Sequence, residues 1–225
     1  MNSGEAPATY RFQAALLGSL LCVFAWSAIE PRDRFTWFLE VAPAVVGVGI
    51  VVALHRRFPF TPLAHACIWV HAVILLVGGH YTYAEVPLFD WIRDALGLAR
   101  NHFDRVGHFA QGFCPAILAR ETLLRTSPLR PGKWLFTLVS AACLSISAIY
   151  EFIEWWVSLA TGSKGDSFLG TQGDIWDTQW DMFLALCGAI VSQWLLARVH
   201  DRQVERLVAP RTPQSHGERN ASTSS

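Results

Sequence analysis

Charge is scarce in this chain. Only 16% of its 225 residues are Asp, Glu, Lys or Arg, and 18 basic residues balance 18 acids to a formal net charge of zero. Without a basic field there is no electrostatic footprint for nucleic acid. Paired cysteines are missing too: Cys22, Cys67, Cys114, Cys143 and Cys187 all sit in apolar stretches with no CxxC spacing. They read as small core residues, not as disulfides or metal ligands. No P-loop, GxSxG, HExxH or dinucleotide fingerprint occurs, which removes the common soluble-enzyme chemistries. No internal repeat of the inverted-transporter kind is found either. What is present is apolar, with 52% hydrophobic residues and ten tryptophans, and that points to the bilayer.

Residues 1–11 form a short polar leader, and 12–29 is an 18-residue run without charge, about 27 Å long as a helix and sufficient to span. Ala25 and Ser27 would suit a signal-peptide cleavage site, but the run is long and the leader carries only Arg11, so a retained span is expected. Further spans are expected over 37–54, 63–79, 106–124, 134–159 and 179–199. The fold class is therefore all-α: a polytopic membrane helix bundle of about six transmembrane helices, in one domain over residues 12–200. Glu40 and Pro43 are expected to interrupt the second span, and Gly78 and Gly79 to break the third so that His80, Tyr81 and Glu85 approach the polar cluster described below. His65 and His71 on that span read as packing residues. Residues 80–100 mix Tyr81, Tyr83, Phe89 and Trp91 with Glu85, Asp90, Arg93 and Asp94, the pattern of a short interfacial helix. Residues 201–225, rich in Arg, Ser, Thr and Pro, are expected to be a disordered tail.

With six spans, twelve of the Lys and Arg residues fall on one side and six on the other. The twelve should face the cytoplasm, with both termini inside. Thirteen of the eighteen acids fall in the opposite, outer half, a bias that calls for a reason.

The segment 101–125 supplies one. It reads as a spanning helix, yet Asp104, His108 and Gln111 stand at i, i+4 and i+7 on one face, with Gly107 and Cys114 beside them. Ionisable groups are costly in lipid and are expected to face protein or a watery cavity. Asp104 also fits a helix cap, and His108 a satisfied core histidine. Glu151 and Glu154 share a face near the outer end of the fifth span, flanked by Trp155 and Trp156; Glu154 equally fits a group snorkelling to the water edge. Asp174, Asp177 and Asp181 open the sixth span at i, i+3 and i+7, followed on the same face by Leu184 and Gly188. Asp174 and Asp177 also fit caps, whereas Asp181 lies inside the pattern. Arg93, Arg100 and Arg105 are the guanidiniums of this side, suited to hold an anionic group or to pair with Asp104 and neighbouring acids. Arg105, about 100° from the face of Asp104, is expected to neutralise the rim more easily than the interior. Oxygen and imidazole ligands projecting from facing helices build metal sites. Asp104, His108, Glu151 and Asp181 are therefore the expected ligands of a divalent cation; a proton relay or a protein-only hydrogen-bond network fits the same residues.

The stretches RNHFDRVGHFAQGFCPAILARETLLR, HYTYAEVPLF, YEFIEWW and GTQGDIWDTQWDMF resemble the YjdF-like family of bacterial inner-membrane proteins over roughly residues 12–200. The resemblance implies a multi-span inner-membrane protein and supplies no reaction. The chain is also similar, more weakly, to VanZ-like membrane proteins: Asp104, Arg105, His108 and Phe109 match the start of their pattern, Glu151 its middle, and Asp181 and Gly188 its end. Glu154 stands where that pattern has Gln and Ala185 where it has Asn, so the likeness implies a shared four-helix core and does not extend to the ligand. The functions these observations allow are binding of a small cation or polar ligand at the outer pocket, a metal-assisted enzyme acting on a lipid-linked or head-group substrate, and a structural or partner-binding membrane protein. Membrane lipid is the one partner the composition names.

Overall fold

The computed structural model describes residues 5–162, 168 and 170–209. Among them are seven helices and no strand: α1 (Glu5–Ala28), α2 (Arg34–Leu54), α3 (Pro62–Tyr81), α4 (Pro87–Leu96), α5 (Phe103–Thr126), α6 (Lys133–Thr161) and α7 (Asp177–Val208). By length and composition α1, α2, α3, α6 and α7 can cross a membrane. In contrast, α5 carries Asp104, Arg105, Arg120, Glu121 and Arg125, and is too polar for that test. It nevertheless accompanies α7 from end to end, with Arg105 on Asp181 near one end and Arg120 on His200 near the other. A helix lying parallel to a spanning helix over that length crosses with it, so six helices alternate through the bilayer.

Local chemistry sets the ends. The Thr36 amide donates to Asp33 at 2.8 Å, which caps α2 and holds the Asp33 carboxyl below its usual range. Thr61 caps α3, with Pro62 in the first turn. Helix α4 has no buried residue and exposes Leu88, Trp91 and Leu96, as suits a helix at the membrane surface, and it rests on the bundle through Phe89, whose ring lies 5.3 Å from that of Phe103.

Several expected boundaries shift. Helix α1 begins at Glu5, inside the polar leader. Pro43 does not interrupt α2, which stays helical from Arg34 to Leu54, since an apolar environment enforces the remaining backbone bonds. The expected break at Gly78 and Gly79 does not occur either: α3 runs through both to Tyr81. His80 instead meets the Ser27 carbonyl at 3.1 Å, and Glu85 pairs with Arg32. The glycines serve packing. A Cβ on Gly78 would overlap the Tyr83 ring, and one on Gly107 would stand 2.7 Å from it. Thr82 and Tyr83, with φ of 61° and 48°, turn the chain so that this ring fills the gap. At the other end α7 continues to Val208; residues 201–208 are thus helical where a disordered tail was expected, because His200 and Gln203 dock on α5 and α3. The rest of that tail, 210–225, lies outside the described residues.

Candidate functional site

Helices α5 and α7 approach so closely that a Cβ on Gly112 would overlap the Ala185 carbonyl, and one on Gly188 the Phe109 carbonyl. Small residues let the two backbones touch, and this contact fixes which side of α5 faces α7. The facing stripe on α5 is Arg105, Phe109 and Gly112, and on α7 it is Asp177, Asp181, Ala185 and Gly188, with buried Ala185 in the place expected for Leu184.

The consequence for Arg105 overturns the expectation that it serves the rim. Its guanidinium donates to Asp181 at 2.5 Å, to Asp177 at 2.7 Å and to Asp174 at 3.0 Å, and to the Asp177 carbonyl at 3.2 Å. Arg100, just before α5, pairs with Asp177 and donates to Asp104 at 3.1 Å. Two forked cations thus thread four carboxylates, the arrangement for which the planar guanidinium is suited. At this rim burial and then Arg100 and Arg105 push the His102 imidazole below its usual range.

Inside this ring His108 is held between acids. Its Nδ1 lies 3.1 Å from Gln111 Oε1, and its Nε2 lies 3.4 Å from Asp104 and 3.9 Å from Asp181. With the Nδ1 proton donated to Gln111, Nε2 presents either a lone pair or a second proton to the two carboxylates. Asp104, His108 and Asp181 each offer a ligand atom within 4.8 Å of the others. Glu151 stands beside them, its Oε1 3.8 Å from His108 Nδ1, buried and without a hydrogen-bond partner.

The caps expected as alternatives are not formed at Asp104 or Asp177: the residues before α5 and α7 make no side-chain cap bond, and Asp104 and Asp177 are given to arginine. Asp174 does accept from the Trp176 amide at 2.9 Å, while also meeting Arg105. Glu154 does not snorkel. It is 7% exposed, as buried as Glu151 at 6%, while Trp155 and Trp156 face outward.

Sequence reasoning missed two participants, Glu40 and Asn101. Glu40 of α2, 5% exposed, accepts from the Tyr150 hydroxyl at 3.1 Å and lies within electrostatic reach of Asp104 and His108. A lone acid in an apolar run was the available signal. Arg100, named from sequence as a guanidinium of this side, does pair with Asp104 and a neighbouring acid, Asp177, from a non-helical approach to α5 that periodicity could not orient. Asn101, fully buried, ties the rim together: its side chain donates to the Val86 carbonyl and to Asp90, each at 3.0 Å, and its backbone exchanges two bonds with Gln172.

The opposite end of the bundle holds a separate knot. Glu121 accepts from the Thr61 hydroxyl at 2.7 Å and from Arg125 at 2.8 Å. His200 joins it, 3.2 Å from Glu121 and 2.9 Å from Arg120. Since Arg120 can only donate, His200 Nδ1 accepts and its Nε2–H is directed at Glu121. All these groups have partners, so this knot fastens α3, α5 and α7 together.

Six crossing helices around buried acids, arginines and a histidine define a multi-pass membrane protein that keeps titratable groups among its spans. The chain belongs to the family described as Predicted membrane protein (DUF2238), whose model matches residues 12–202. It is 48% identical over 188 residues to Inner membrane protein YjdF of Escherichia coli (strain K12), covering 84% of this chain and 90% of that protein. No solved structure matches. The chain is accordingly a multi-pass inner-membrane protein.

Proposed function

We propose that this protein binds a divalent cation at the outer end of the bundle, on Asp104, His108 and Asp181, with Glu151 as the fourth group. The observation that carries this reading is the convergence of three ligand atoms within 4.8 Å of one another beside the unpartnered Glu151 oxygen. Charge supports it as well. The buried acids Glu40, Asp104, Glu151, Glu154, Asp177 and Asp181 outnumber Arg100 and Arg105, and buried carboxylates in such excess need protons or a cation. Mixed carboxylate and imidazole donors suit manganese or zinc.

Calorimetric titration of the purified, chelator-treated protein with Mn2+ and Zn2+ tests this. One ion per chain is expected, with binding weakening as pH falls, because a proton and the cation compete for His108 Nε2. Gln111→Leu, which frees the imidazole, should lower affinity by about 10- to 100-fold. If no heat is seen and elemental analysis finds no metal, the cation reading fails.

A second reading is a protein-only network in which imidazolium at His108 bridges Asp104 and Asp181, favoured by its distances of 3.4 and 3.9 Å to them. The metal-assisted enzyme has less support, since Arg100 and Arg105, the guanidiniums beside the site, already hold carboxylates and are not free to clamp an anionic substrate.

The same reading puts both termini in the cytoplasm and the acidic end outside, on the twelve-to-six distribution of Lys and Arg. A reporter active only outside the cytoplasm should work when fused at Gly173 and fail at Arg130 or after Arg206. The reverse pattern would invert the topology.

A further inference from the structure

Helices α1 and α2 meet at one end and part at the other. At the acidic end the Trp37 indole donates to Ser27 at 2.9 Å, and the Phe24 and Trp37 rings lie 5.9 Å apart. Toward the arginine-rich end the two helices separate and leave a cleft of about 300 Å³ floored by Ile68 and Trp69 of α3. That volume is at the lower bound of small-ligand pockets.

The cleft is graded along its length. Its deeper walls are aliphatic, with Leu17 and Leu20 on α1 and Val48 and Val52 on α2. Its polar groups, Tyr10, Gln13, His55 and His65, all come from the arginine-rich ends of the three helices. Arg11 follows Tyr10, and Arg56 and Arg57 follow His55. No acid occurs between residues 6 and 29 or between 41 and 84, and among the described residues no carboxylate pairs with Arg11, Arg56 or Arg57.

We propose that this cleft is a binding site for one anionic phospholipid, with an acyl chain lying between α1 and α2 and the phosphate held by Arg56 and Arg57 beside His55. An aliphatic slot open to the bilayer is filled by hydrocarbon, and the unpaired positive charges at its mouth choose the headgroup. Each arginine near an anionic lipid surface weighs about fivefold in binding. The site is at the far end of the bundle from the acid cluster and does not depend on what that cluster binds.

Native mass spectrometry of the full chain, titrated with phosphatidylglycerol or phosphatidylethanolamine of identical acyl chains, reads the proposal directly. One phosphatidylglycerol should be retained at least tenfold more strongly. R56Q/R57Q should reduce that retention by roughly 25-fold, two such contributions, and leave phosphatidylethanolamine unchanged. Leu17→Trp or Val52→Trp, at lining positions 40% and 56% exposed, should fill the slot and abolish retention. Phe152→Trp, on an outward face of α6, should have no effect. Equal retention of the two lipids, or equal loss in the Phe152 variant, would overturn the proposal. Should both filled variants fail to fold, phosphatidylglycerol with a photoreactive acyl chain must label α1 and α2 of the unmodified protein; labelling confined to other helices overturns it as well.

Discussion

Arg105→Gln is expected to destabilise the protein by about 3–5 kcal/mol, the range for removing one partner of a buried ion pair. The residue donates to Asp174, Asp177 and Asp181 at 3.0, 2.7 and 2.5 Å, and only 12% of its side chain is exposed. Glutamine removes the charge and leaves Asp181 buried with no cation but His108 near it. Arg105→Lys should recover part of the loss, because an ammonium supplies the charge without the fork that spans three carboxylates. Arg105→Gln combined with Asp181→Asn should be less destabilising than the two changes summed, since the pair acts as one unit. Thermal unfolding of the detergent-solubilised protein measures all of these. If Arg105→Gln melts with the unmodified protein, the arginine is not what neutralises these acids.

A larger effect is expected from Gly188→Leu. The glycine lies against the Phe109 carbonyl, and any Cβ there would overlap a backbone atom that cannot rotate aside. Helix α5 would have to move off α7, carrying Arg105 away from Asp177 and Asp181 at one end and Arg120 away from His200 at the other. Loss of the folded protein is the expected result, read as absence of a monodisperse species on size exclusion. Gly112→Leu should behave alike for the reciprocal reason, while Gly47→Leu, at a glycine with open space around it, should be tolerated. Recovery of a well-folded Gly188→Leu variant would contradict the close contact.

The bundle and half of its acidic cluster are legible in spacing alone. Asp104, His108 and Gln111 share a face because 3.6-residue periodicity requires it, and the structure hydrogen-bonds His108 to Gln111. What spacing cannot give is rotation about the helix axis. Arg105 looked like a rim residue because it is off the face of Asp104, yet the glycine contact with α7 turns that side inward. Arg100 precedes the helix, so no period reaches it. Glu40 was visible as an acid in an apolar run, but only the packing of α2 on α3 aims it at the site. Glu121, Arg120 and His200 carry no mark in spacing of belonging together; their mutual burial depends on α5 and α7 being parallel, which topology decides.

That parallel pairing also bears on how the protein is made. Helix α5 does not qualify as a span by its own hydropathy, and it carries Asp104 and Arg105 in its first turn and Arg120, Glu121 and Arg125 towards its end, charges that oppose insertion while they lack partners. The groups that neutralise Arg105 and accept from Arg120 belong to α7, which is synthesised some fifty residues later on any ribosome that reaches Asp177. While the nascent chain emerges, α5 therefore has no complete polar lining and must wait at the membrane surface or within the insertion machinery. Its entry into the bilayer is coupled to that of α7, and truncation before α7 should leave α5 accessible to water-soluble labels.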